Sequence, residues 1–93
     1  MIQNGSIRKS GITIEQLRAA RGLLGWSQSE LASRAGLSLP TVKRVESEFG
    51  PRVSDDARAK LQGALEAGGI QFLDEDGGGA GVRFRKPRHL RRK

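Results

Sequence analysis

Between Ser38 and Arg44 the chain reads SLPTVKR, and its side chains sort at helical spacing. Val42 and the following Val45 fall on one side, while Ser38, Leu39, Pro40, Thr41, Lys43 and Arg44 fall on the other. The second set mixes hydroxyls, apolar atoms and long cations. That mixture suits recognition of a duplex: hydroxyls and helix N-terminal amides hold phosphate, Arg or Lys matches guanine O6 and N7, and apolar atoms meet the thymine methyl. Bond-breaking chemistry has no comparable set. The one histidine, His89, lies in a basic run, the serines fall at helix caps, and there is no cysteine to serve as nucleophile, disulfide or thiolate ligand. The segment DEDGGG has the look of a calcium loop, but the bidentate glutamate such a loop needs at its end would be Arg85. GGGAG lacks the Lys and Ser/Thr that follow in a phosphate loop. No enzyme activity, metal, cofactor or small-molecule ligand is expected.

A recognition face needs elements that hold it still. Thr13, with Gln16 three residues on, forms a capping box, and Ile12 can staple to Leu17, so a first helix begins there. Ile14, Leu17, Ala20 and Leu24 form its apolar stripe, ending near Gly25. Ser27 and Glu30 repeat the box for a second helix, with Trp26 and Leu31 as staple and Gly36 as a positive-φ stop. Ser38 caps a third, where Pro40 falls in the first turn and forfeits no intrahelical bond. Two helices of about eight residues do not persist alone. The short connection through Gly36 makes them cross steeply and pack on their neighbours, with Leu31, Ala32, Ala35, Leu37, Val42 and Val45 turned inward. A fourth helix runs from Ser54 to about Ala67, with Asp55 and Asp56 at its positive end, Ala57, Leu61, Ala64 and Leu65 on its apolar face, and Gly68 as its stop. The period then changes to two, with Ile70 and Phe72 followed after DEDGGGAG by Val82 and Phe84, which predicts a β-hairpin.

Composition limits the alternatives. A chain of 93 residues holds one domain with one modest core. No apolar run approaches the roughly 20 residues of a membrane span, and the N-terminus lacks a signal-peptide core, so a soluble protein of the reducing cytoplasm is expected, with no membrane partner. Residues 1–80 carry ten basic and ten acidic side chains, so the net charge of +7 resides wholly in residues 81–93. Arg88, Arg91, Arg92 and Lys93 lie in that run, where they can follow a phosphate backbone. Three Phe and one Trp are too few for stacking on single-stranded RNA.

The stretch QSELASRAGLSLPTVKRVE, with Gln28, Ala32, Gly36, Val42 and Val45 in register, resembles the helix-turn-helix of the phage-repressor-like family, also called XRE or Cro-type. The stretch ALEAGGIQFLDEDGGGAGVRFR resembles the ending of short bacterial members that lack a ligand-binding domain, so the likeness covers roughly residues 12–86. It implies that Ser27 and Gln28 meet the DNA backbone, Gln28 matching the residue that holds a phosphate. Leu39, Lys43 and Arg44 match base-reading positions, and Ser38, Pro40 and Thr41 match positions against the backbone or nearest base. Arg52 is placed to reach phosphate or the minor groove. Arg21 and Glu46 match a structural ion pair. Leu39 and Pro40 stand where some relatives have amides, which leaves base preference open beyond a guanine contact from Lys43 or Arg44.

The expected fold is mainly α: a flexible arm (residues 1–11), a four-helix helix-turn-helix domain (12–68), a small β-hairpin (69–86) and a disordered basic tail (87–93). One such module reads few base pairs, so a homodimer is expected, pairing through Ile70, Phe72, Val82 and Phe84 of the hairpin. The expected function is a nucleoid-associated transcription regulator, a repressor, with double-stranded DNA as partner. The alternatives are an antitoxin that binds a toxin and represses its own operon, and a recombination accessory factor of a mobile element.

Overall fold

The computed structural model describes residues 12–47 and 54–86. The arm, Arg52 and the basic tail residues Arg88, Arg91, Arg92 and Lys93 lie outside the described residues. Four helices, α1 (Ile14–Leu24), α2 (Gln28–Ala35), α3 (Leu39–Glu46) and α4 (Asp55–Ala67), precede two strands, β1 (Ile70–Leu73) and β2 (Gly81–Phe84). The fold is mainly helical, with a two-stranded antiparallel hairpin at its end.

Local chemistry accounts for the helix ends. At α1 the Thr13 hydroxyl accepts from the Gln16 amide at 3.0 Å, and the Thr13 amide donates to Gln16 Oε1 at 2.9 Å, completing the capping box. Ser27, Ser38 and Ser54 cap α2, α3 and α4 in the same way through the residue three positions on. The box expected at α2 is only half made. Glu30 turns its carboxylate to Arg34 Nε at 2.6 Å, since a cation one turn away is a stronger donor than a cap amide. Gly25 and Gly36 stop α1 and α2 at φ +70° and +72°, where a side chain would be strained.

Gly68 ends α4 for a different reason than expected. Its φ is −80°, open to any residue, but a Cβ there would lie 2.7 Å from the Trp26 ring and 3.2 Å from Leu24 Cδ1. Space, not backbone freedom, demands glycine at this position. The positive φ follows at Gly69, which turns the chain into β1.

One core gathers the helices. Leu17, Leu31, Val42, Val45, Leu61 and Leu65 are fully buried, and Ala32 is the small contact between neighbours. Of the stripe expected on α1, Ile14 and Leu24 are only half-buried, while Gln16, a polar residue, is buried in their place. The hairpin continues the core: Ile70 opposes Phe84 and Phe72 opposes Val82, so all four lie on one sheet face. That face turns toward the helices, with Phe72, Val82 and Phe84 half-buried against the core. Ile70 is 1% exposed within its own chain, so the pairing surface expected of the hairpin does not include it. Gln16 fastens the other end of the hairpin, its Nε2 donating to the Leu73 carbonyl at 3.0 Å and the Gly81 carbonyl at 2.9 Å.

Candidate nucleic-acid interface

The first turn of α3 is fixed by its cap. Ser38 Oγ accepts from the Thr41 amide and lies 2.8 Å from Thr41 Oγ1, and Pro40 stands at the second helical position. From that start, period 3.6 turns Val42, Val45 and Glu46 into the core and leaves Pro40, Lys43 and Arg44 exposed. Leu39 and Thr41 are half-buried at the margin. Among the described residues, the Lys43 and Arg44 side chains make no ion pair or hydrogen bond, so both cations are free for an external acceptor. Apolar, hydroxyl and cationic groups are thus carried together on one anchored helix.

Its anchor is a buried carboxylate. Glu46 Oε2 accepts from Arg21 Nε at 2.8 Å and Oε1 from Arg21 Nη2 at 2.9 Å, a bidentate pair between α1 and α3. Arg21 Nη1 also donates to the Trp26 carbonyl at 3.0 Å. This is the pair implied by the resemblance, and its geometry is structural: Arg21 is spent on protein acceptors. A third donor was not foreseen. Gln28, the first residue of α2, gives its Nε2 to Glu46 Oε1 at 3.0 Å. No local signal announces that bond, which joins residues 18 positions apart.

At the N-terminus of α2, Ser27 is exposed and Gln28 half-exposed. Ser27 Oγ is occupied by the Glu30 amide, which leaves the amides of Gln28 and Ser29 without intrahelical acceptors. Donors at a helix start, beside an amide side chain, make a polar seat suited to an anion. Arg34, on the same helix, is not part of it. Its guanidinium sits 4.3 Å from the Trp26 ring centroid and pairs with Glu30.

Residues 17–56 match a family model described as helix-turn-helix. In sequence these residues are similar to the XRE type of helix-turn-helix. The match covers most of α1, all of α2 and α3, and the first residues of α4. The helix-turn-helix family is one of DNA-binding regulatory domains rather than of enzymes. No curated protein matches the chain. Among the described residues, no helix is long and apolar enough to cross a membrane, and no group of His, Asp and Glu is arranged to hold a metal.

Proposed function

We propose that the protein is a sequence-specific transcription repressor of the bacterial nucleoid that lays α3 in the major groove of duplex DNA. The observation that carries this reading is the outward face of α3, where Lys43 and Arg44 are exposed and free of described partners beside the Ser38 and Thr41 hydroxyls. In this docking Lys43 and Arg44 read base edges, with Leu39 and Pro40 supplying apolar contact. Ser27, Gln28, Ser38 and Thr41 meet the backbone. Arg52 and the tail residues Arg88, Arg91, Arg92 and Lys93 add phosphate contacts, which bring salt dependence without sequence preference.

A single module spans too short a site for a selective regulator, so the protein acts as a two-fold dimer. The pairing surface is the hairpin, where Phe72, Val82 and Phe84 keep part of their apolar area in solvent. Selection of bound sequences from a random duplex pool tests both parts. The reading expects an inverted repeat with half-sites about 34 Å apart. Recovery of no preferred sequence would contradict regulation by base reading. A lone half-site bound by a monomer in sedimentation would contradict the dimer. A toxin that copurifies with the chain would redirect the hairpin to the antitoxin reading.

A further inference from the structure

We propose that Glu46 is a positioning residue for DNA binding: it locks the Gln28 amide for a backbone phosphate and fixes that grip relative to the base-reading side chains of α3. The inference rests on the docking just described and adds to it a role for a residue that touches no DNA.

The Glu46 side chain is 5% exposed and accepts three hydrogen bonds, two from Arg21 and one from Gln28. A carboxylate only accepts, so the nitrogen end of the Gln28 amide must face it. This assigns the amide's orientation, which a solvated glutamine leaves free to flip. Glu46 engages one of the two N–H groups on that nitrogen, and among the described residues the side chain has no second acceptor. The remaining N–H belongs to the half-exposed end of α2, beside the open amides of Gln28 and Ser29.

Two consequences follow for an incoming phosphate. Rotamer freedom that a loose glutamine would lose on gripping it has already been surrendered on folding. The carboxylate that performs the locking is neutralised by the bidentate Arg21, so it does not set a bare negative charge beside the phosphate. Glu46 is also the last residue of α3, two positions beyond Arg44, while Gln28 is the first of α2. The hydrogen bond therefore ties the backbone grip directly to the reading helix. Replacing Glu46 by glutamine leaves one acceptor oxygen for three donors, and the charged Arg21 outcompetes Gln28 for it.

The test is a double-mutant cycle of Gln28→Ala and Glu46→Gln on the full chain, using a duplex selected from the random pool by the wild type. With the lock intact, Gln28→Ala should weaken binding about tenfold; in the Glu46→Gln background the same change should cost about twofold or less. An equal loss in both backgrounds would overturn the positioning role while leaving the docking in place. No loss on Gln28→Ala in the wild-type background would instead show that Gln28 holds no phosphate, and the docking reading would fail at that contact together with this inference. The side-chain amide of Gln28 in the free wild-type protein supplies a readout that does not depend on variant folding. An NMR order parameter above about 0.6 fits a locked amide, and a lower value overturns it.

Discussion

Gln16 and Glu46 are buried alike, at 6% and 7% exposure, and each fastens a different half of the molecule. Gln16 is neutral. It meets the Thr13 amide through its oxygen and two strand carbonyls through its nitrogen, so every partner is a backbone group. Glu46 is charged, and its partners are the side chains of Arg21 and Gln28. The difference teaches where each half can fail. An amide bonded to backbone can be lost at the cost of a few hydrogen bonds, whereas a buried carboxylate stripped of its cation leaves an uncompensated charge. To the apolar packing of the hairpin on the core Gln16 adds an expendable polar tie, while α1, α2 and α3 are joined around a demanding one.

Removing the cation should break this contrast most sharply. Arg21→Leu leaves Glu46 without its bidentate partner and should cost about 3 kcal/mol, the low end for a buried pair because Arg21 is partly exposed. In a domain of this size the melting temperature should fall by on the order of 12 °C or more. Gln16→Ala should cost less, about 1 to 2 kcal/mol. Its loss should be local: hydrogen exchange quickens in Ile70–Leu73 and Gly81–Phe84 while α2 and α3 keep their protection. If the two variants lost equal stability, or if Gln16→Ala loosened all elements together, charge would not be what separates the two ties.

The smallest expected effect lies where the halves meet. Trp26 is packed between the Arg34 guanidinium and Gly68, at the junction of α4 with the hairpin. Gly68→Ala inserts a methyl group into the ring and should cost about 1 kcal/mol by overpacking. A shift in Trp26 fluorescence with unchanged helix content would report it. Equal stability and an unmoved spectrum would mean that the ring yields freely and that the junction transmits nothing between the halves.

Much of this arrangement was legible in the residues because it is local. Thr13, Ser27, Ser38 and Ser54 announce their helices through bonds made within one turn, and Gly25 and Gly36 announce stops that only φ decides. The alternation of Ile70, Phe72, Val82 and Phe84 announces the hairpin in the same way, but not that this face turns onto the chain's own helices. The illegible part is set by tertiary neighbours. Nothing beside Gln16 in the chain distinguishes a cap residue from one that also bonds strand carbonyls 57 and 65 positions away. Gly68 reads as an ordinary stop until Trp26 is brought against it. At the candidate interface, Lys43 and Arg44 could be named from period alone. The role proposed for Gln28 comes only from family resemblance, and its bond to Glu46 is visible only once α2 and α3 are packed together.

The measurement closest to the central claim is equilibrium binding of Lys43→Ala and Arg44→Ala to the selected duplex and to an unrelated one of equal length. Both cations lie outside the Glu46 network, so both variants should melt as the wild type does. Each should lose about 1 to 3 kcal/mol of affinity on the selected duplex and relax preference at one base position, with a much smaller loss on the unrelated DNA. Full affinity and full selectivity in both variants would contradict the assignment of α3 as the reading helix.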